Sequence, residues 1–369
     1  MFTLEKKPAT DALKFAKMVL PSVNRAKPHP FLHHVELSAA GGDVVQLRAT
    51  DGDVTLFYDV PHSVALSGVV VLDYSELHRA IGATDSGELI RIDAGGKLTA
   101  GDLSVTLPPL DRDAYPERLR AIPARAVSHS FDGAALGAAL VSVGSAMSSE
   151  ETRYYLRGVL IEHAGAANIT LTATDGHRLV NETIDAFSDI GTLHLDEFAG
   201  HILPDSVVKL LIALIQPGER VAMSFDSAES GAGFTITGAG WKVTGRTVVG
   251  TFPDYRRVIP AQSGNVSIIE SDAMRKAVSK ISKLKQCGAL QLDHASGCIR
   301  QDKASVKVHQ TASDDMPTIA FNPAYIAPML DAIGTDSVKL DAASANDPAL
   351  WVPVDSPRRI RGVIMPMRY

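Results

Sequence analysis

Asp175, Gly176 and His177 stand consecutively, and an acid beside an imidazole is a pair from which general acid–base catalysis can be built. No nucleophile motif of the Gly-x-Ser-x-Gly kind accompanies it, and an earlier copy of the run, Asp51-Gly52-Asp53, has no histidine. Asp-Gly is also a common turn dipeptide. The run therefore reads as a turn, and catalysis is not expected. Cys287, His294 and Cys298 are zinc-ligand types, but the paired Cys-x-x-Cys spacing is missing. His33 and His34 read as neighbours in a strand, with side chains on opposite faces. A Walker glycine loop is absent, so ATP hydrolysis is not expected either. The chain is read as non-enzymatic, without cofactor or metal.

The run Val363-Ile364-Met365-Pro366-Met367-Arg368-Tyr369 is more telling. Chain ends are usually polar and frayed, whereas this one is apolar, with two methionines around a proline. Methionine fills gaps adaptably and is over-used on surfaces that accept several partners. Taken alone, the tail fits either a last core strand or a partner-binding surface.

The elements that would position these residues repeat. Tyr115-Pro116-Glu117-Arg118-Leu119-Arg120-Ala121-Ile122-Pro123 returns as Phe252-Pro253-Asp254-Tyr255-Arg256-Arg257-Val258-Ile259-Pro260, and Ala49-Thr50-Asp51-Gly52 returns as Ala173-Thr174-Asp175-Gly176. Leu72-Asp73-Tyr74-Ser75, Leu203-Pro204-Asp205-Ser206 and Phe321-Asn322-Pro323-Ala324 each open an apolar helical stretch, with Leu77/Ile81, Val208/Ile212 and Ile326/Leu330 at i, i+4. Asp or Asn in each signal is expected to cap its helix. Earlier helices are expected over Thr10 to Leu20, Asp132 to Met147 and Asp272 to Lys285. Strand-like runs such as Val44 to Arg48 and Ile169 to Ala173 lie between Gly-rich turns. Two helices among many short strands predict an α+β fold, in three domains at 1–125, 126–261 and 262–369.

Length and composition agree: 369 residues suit two or three domains, and 45% hydrophobic with 21% charged residues is a globular balance. No apolar run reaches about 18 residues, so no membrane-spanning helix is expected. The amino-terminal run lacks a signal-peptide layout and there are only two cysteines, from which a cytoplasmic protein is expected.

Four segments carry a specific resemblance: Glu151 to Gly158, Ala173 to Leu179, Phe252 to Pro260, and Met365 to Arg368. In order and spacing the chain resembles the bacterial sliding clamp family, the beta subunit of DNA polymerase III. The likeness runs nearly end to end and is weakest from Lys285 to Asp315. It implies three clamp domains per chain and a head-to-tail homodimeric ring around duplex DNA, with helices lining the hole. The implied role is a processivity factor in DNA replication that tethers the polymerase alpha subunit, the clamp loader, and other polymerases and repair proteins. A diverged second clamp (from a plasmid, a phage or a repair system) and a peptide-binding scaffold that no longer encircles DNA are the alternatives.

By position, the resemblance implies a peptide pocket of Leu156, Thr174, Gly176, His177, Arg178, Leu179, Pro253, Arg257, Val258, Val363, Met365, Pro366 and Met367, with Asn322 and Tyr325 at its border. Tyr369 stands where the family usually has leucine, which bears on peptide preference. Val105 and Leu107 in one repeat and Ile281 in another are implied at the dimer interface.

Charge placement bears on DNA. The net charge is -6, distributed as -2, -6 and +2 over the three domains. A basic inner face on an acidic ring would still attract phosphates, because the local field decides. Lys276, Lys280 and Lys283 share one face of the helix from Asp272, opposite a stripe of Met274, Ala277, Val278, Ile281 and Leu284 expected to be buried. Arg25, Lys27, Lys14, Lys17, Arg79 and Lys209 are the other expected DNA contacts, whereas the helix from Asp132 has no basic residue.

Overall fold

Alternating apolar residues along short runs build sheets here, and 3.6-residue stripes build the helices laid on them. The computed structural model describes residues 1–21, 30–39, 44–61, 64–111, 129–165, 168–187, 200–225, 233–284, 288–308 and 310–368. Arg25, Lys27, Cys287, Tyr369, the first Tyr115 to Pro123 repeat and the boundary at Arg125 lie outside these residues. The described helices are α1 (Lys6–Val19), α2 (Tyr74–Gly82), α3 (Gly133–Gly144), α4 (Asp205–Leu214), α5 (Ser271–Ser282) and α6 (Pro323–Ile333). None is long and apolar enough to cross a membrane.

The chain divides into two compact units. The first comprises Met1–Ala134, Phe187–Glu197 and Lys209–Thr247. One of its sheets runs, in spatial order, His129–Asp132, Arg220–Phe225, Gly233–Gly238, Trp241–Arg246, Val54–Val60, Val45–Thr50, His34–Ala39 and Gly68–Asp73, all antiparallel. A second sheet runs Val64–Ala65, Phe2–Glu5, Leu89–Ile92, Lys97–Ala100 and Leu103–Thr106. α1 buries Ala9, Ala12, Leu13, Ala16 and Val19, and α2 buries Leu77, Ala80 and Ile81. Each fully buried leucine or isoleucine contributes roughly 1.5–3 kcal/mol by leaving water.

The second unit comprises Ala135–Ala186, Phe198–Val208 and Val248–Tyr369. Its larger sheet runs His201–Pro204, Gly158–His163, Asn168–Thr174, Arg178–Phe187, Arg359–Ile364, Ala349–Pro353, Ser337–Asp341, Val266–Glu270 and Gln310–Ala312. A four-stranded sheet runs Ile319–Phe321, Leu290–Asp293, Cys298–Gln301 and Ala304–Lys307. Arg275 ties α5 to α6 by donating to Asp331 at 2.7 Å and to the Leu330 carbonyl at 3.1 Å.

Capping follows the expected signals in two places. Asp73 accepts the Glu76 N–H at 2.9 Å, and Asn322 accepts the Ala324 N–H at 3.0 Å. At the third signal Asp205 is the first residue of α4, and its own N–H donates to the Arg157 carbonyl.

Several expectations are corrected. α1 begins at Lys6 rather than Thr10, and α3 stops at Gly144 rather than Met147. α5 stops at Ser282, so Leu284 leaves the helical period and is exposed. Ile212 on α4 is also exposed, because that helix turns Val207, Val208, Leu211 and Leu214 inward. His33 ends a 3-10 turn, and only His34 lies in a strand. Of the three residues expected at a dimer interface, Ile281 is 0% exposed and Leu107 4% exposed within the single chain. Val105 alone of the three keeps partial exposure, on the end strand of its sheet.

Candidate functional site

A cleft of about 230 Å3 opens on the second unit. Its walls come from segments far apart in sequence. The 3-10 turn Glu151–Leu156 contributes Arg153, Tyr155 and Leu156. The hairpin between strands Asn168–Thr174 and Arg178–Phe187 contributes Thr174, Gly176, His177, Arg178 and Leu179. The 3-10 turn Tyr255–Val258 contributes Tyr255 and Val258, with Pro253 just before it, and the carboxyl-terminal strand contributes Val363 and Met365.

Backbone register brings these together. Leu179 lies opposite Val363 in the antiparallel pair, and beyond the strand end the Met365 N–H donates to the His177 carbonyl at 2.9 Å. Side chains secure the same seam. Arg358 grips the buried Glu182 with two hydrogen bonds of 2.8 and 2.7 Å, and Arg361 donates to Asn181, which in turn donates to Thr172. Losing one partner of such a buried pair typically costs about 3–5 kcal/mol.

The floor is the top of a small core of Leu160, Leu179, Ile202, Tyr255, Leu350 and Val363. Tyr255 is anchored from below, its hydroxyl donating to Glu162 at 2.9 Å, while Arg256 pairs with the same carboxylate at 3.1 Å. Burial pushes the Tyr255 hydroxyl up from its usual value, so it stays a proton donor at neutral pH. The rim is polar. Arg178 donates to Asp175 at 3.1 Å and to the Ser145 carbonyl at 2.7 Å, and its guanidinium lies 5.1 Å from the Tyr325 ring centre. His177 stacks with the same ring, 6.1 Å between centroids at an interplanar angle of 16°.

Most of the residues predicted for the pocket thus meet in one place, with Tyr325 beside them. Arg257 does not line the cleft; it points to solvent, paired with Asp254 at 2.8 Å. Pro366 and Met367 lie past the lining, where the Met367 N–H donates to the Ala320 carbonyl. Arg153, Tyr155 and Tyr255 were not among the predicted pocket residues. Residues i and i+3 eclipse one another in a 3-10 turn, so Tyr255 shares a face with Val258. Arg153 breaks helical geometry, at φ -104° and ψ 51°, so no such period points to it or to Tyr155.

An apolar floor with a few oriented polar groups suits a short peptide that buries one or two side chains; the cavity is smaller than the roughly 300–1,000 Å3 of drug-sized sites. Elsewhere, Lys14, Lys17, Arg79, Lys209, Lys276 and Lys280 are exposed on their helices, and Lys283 is exposed just past the end of α5. Lys17 sits 5.4 Å over the Tyr74 ring.

A family model described as the DNA polymerase III beta subunit, central domain, matches residues 132–254. The beta sliding clamp of Caulobacter vibrioides is 25% identical over 99% of this chain and 99% of that protein. The beta sliding clamp of Pseudomonas aeruginosa is 26% identical over 96% of this chain and 97% of that protein. A crystal structure of the DNA polymerase sliding clamp from Pseudomonas aeruginosa with ligand is similar in fold over 100% of both chains, with a TM-score of 0.84 at 24% identity.

Proposed function

The chain belongs to the beta sliding clamp family, the beta subunits of DNA polymerase III, and from that premise we propose how it does the work of a processivity factor. Two copies close head to tail around duplex DNA, each copy contributing three clamp domains. The cleft receives short peptides from the polymerase alpha subunit, the clamp loader and repair proteins. The family is non-catalytic, so the function lies in encirclement and tethering.

The cleft is the observation that carries this reading. Four separate chain segments converge on one apolar floor with a polar rim. Such a site anchors a linear motif by a few buried side chains, the usual location of binding energy.

Ring closure is supported by two sheets that end on strands with a free edge among the described residues, Leu103–Thr106 in the first unit and Ala304–Lys307 in the second. An exposed edge invites pairing with another chain, and two complementary edges per copy allow closure without leaving one over. DNA contact is supported by the exposed Lys276 and Lys280 on α5, Lys283 just past its end, and Lys14 and Lys17 on α1. Phosphate contacts without base readout permit sliding, and retention is topological.

Deleting Met365 through Tyr369 should abolish binding of a Gln-x-x-Leu-Phe peptide, read by fluorescence polarisation, while light scattering still reports a dimer. Unchanged peptide affinity in the truncated protein would leave the tail as a core strand and sink the cleft assignment. A monomer at micromolar concentration in the intact protein would sink the ring.

A further inference from the structure

His294 is a histidine that neither the cleft nor the lysine-bearing helices use. It lies in the turn between strands Leu290–Asp293 and Cys298–Gln301 of the four-stranded sheet and is 8% exposed. Both ring nitrogens are buried, and among the described residues neither has a hydrogen-bond partner of good geometry. The Gln310 amide lies against the ring, and its own side-chain oxygen is buried and unpaired as well. A metal site does not account for this slot. The Cys298 thiol donates to the Ser296 carbonyl of the same turn, and no three ligand side chains cluster among the described residues.

The position of the slot gives it leverage. His294 opens a turn in which the Gly297 N–H donates back to the His294 carbonyl at 3.3 Å. The Gly297 carbonyl then accepts the Val308 N–H at 2.9 Å, and Val308 directly follows the edge strand Ala304–Lys307. Gln310 begins strand Gln310–Ala312 of the larger sheet, and its amide donates to the Asp293 carbonyl at 3.4 Å. The imidazole therefore sits where the two sheets of the second unit meet. It also adjoins the anchor of an edge strand that has a single neighbour among the described residues.

We propose that His294 is an acid-sensitive latch on this edge: the neutral ring fills the slot, and the charged ring leaves it, releasing Val308 and the strand before it. Ring closure therefore weakens as pH falls. The proposal rests on the reading of Ala304–Lys307 as a ring-closing edge and adds its regulation. A charged imidazole without a partner is far costlier to bury than a neutral one. Burial accordingly holds the His294 pKa below the usual histidine value, against smaller opposite pulls from Gln310 and Asp293. Asp293 is itself paired with Arg300 at 2.9 Å, which offsets its charge at the ring. On the neighbouring strands, Lys307 is exposed opposite Cys298, and Gln310–Ala312 carries no charge. A released edge takes up the proton before a latched one does. Stability of the latched edge is thus complete above the ordinary histidine value and is lost as pH falls below it.

The test follows the full chain from about pH 8 to about pH 5, a range that spans the ordinary histidine value. Sedimentation velocity reads the dimer, and hydrogen exchange corrected for intrinsic rate reads the edge strand. In wild type the dissociation constant should rise about tenfold at each interface per pH unit below the histidine value, and edge exchange should rise in step. His294→Leu and His294→Gln cannot take up the proton. Both should match wild type at the highest pH and keep the dimer and the protected edge at the lowest, with the glutamine variant serving where leucine disturbs the fold. Curves that run parallel to wild type in a folded variant overturn the proposal. A wild-type chain that is monomeric even at the highest pH removes the ring reading instead, and exchange of the edge strand then decides the latch by itself.

Discussion

Two hairpins in this chain are built from the same bonds and serve different ends. In Thr50 to Val54, the Thr50 hydroxyl donates to the Val54 carbonyl at 2.8 Å, and Asp51 accepts the N–H groups of Asp53 and Val54 at 2.9 and 2.7 Å. In Thr174 to Arg178 the Thr174 hydroxyl donates to the Arg178 carbonyl at 2.7 Å, and Asp175 accepts from His177 and Arg178 at 2.9 and 3.0 Å. Both turns need glycine, at φ +100° and +90°. What differs is the neighbouring strand. Beside the second hairpin, Val363 sits opposite Leu179 and Met365 continues past the strand end. Beside the first, Thr244 sits opposite Thr55 and Gly245 opposite Val54, and the room over Gly245 is taken by the Phe234 ring. The turn is therefore a scaffold. A cleft forms only where the adjoining strand supplies apolar side chains and leaves space between them.

The largest break in this comparison should come from Leu179→Ala. Leu179 is 2% exposed and belongs both to the floor of the cleft and to the core beneath it. Truncation should cost about 2–5 kcal/mol of stability in urea titration and roughly 1–3 kcal/mol of peptide affinity. Thr55→Ala, at the equivalent place in the first hairpin, loses the 3.0 Å hydrogen bond to Thr50 and should cost about 1 kcal/mol of stability. Its peptide affinity should not move. Equal losses of affinity in the two variants would mean that the cleft is not where peptides bind.

A smaller effect should separate the two glycines. Alanine at either position must take up a left-handed conformation, at a cost of about 1–2 kcal/mol. A Cβ at Gly52 meets nothing within 4 Å, so Gly52→Ala should pay that strain alone. Gly176→Ala should also push Arg153 away from the cleft wall and lower peptide affinity several-fold. Denaturation midpoints that match, with affinities that diverge, are the expected pair of results. Matching affinities would show that the position of Arg153 does not matter to the ligand.

The same contrast explains what could be read from the sequence. The repeated Thr-Asp-Gly runs reveal both hairpins, because the turn chemistry is local, and the Asp73 and Asn322 caps are legible for the same reason. The pairing of Leu179 with Val363 spans most of the second unit and has no local signature; the family resemblance supplied it. Arg257 off the lining and Tyr255 within it have the same cause, since a 3-10 turn sends residues two apart to different sides. Tyr255 turns in to Glu162, whereas Arg257 turns out to Asp254. Ile281 and Leu107 were placed at a subunit interface by the family resemblance, and their burial within one copy depends on packing that the resemblance does not reveal.

The smallest difference between the hairpins should appear only as a function of pH. Burial pushes the Asp51 carboxyl above its usual value, against the pull of the Val54 and Asp53 N–H groups. The folded chain therefore holds this proton to higher pH than the unfolded chain does. A raised carboxyl contributes stability that is complete below its unfolded value and is lost as pH rises through its folded one. Asp51→Asn keeps an oxygen that accepts both N–H groups and has no proton to lose. Its stability relative to wild type should therefore improve as pH is raised above the ordinary aspartate value. Asp175→Asn is the counterpart, and its dominant effect should be different. It removes the carboxylate that pairs with Arg178 at 3.1 Å, so it should carry a cost at neutral pH and disturb the rim of the cleft. Urea titrations of both variants across this range decide the matter. Parallel curves for wild type and Asp51→Asn would mean that the first hairpin buries its aspartate without penalty, and that the two turns differ in nothing but their neighbours.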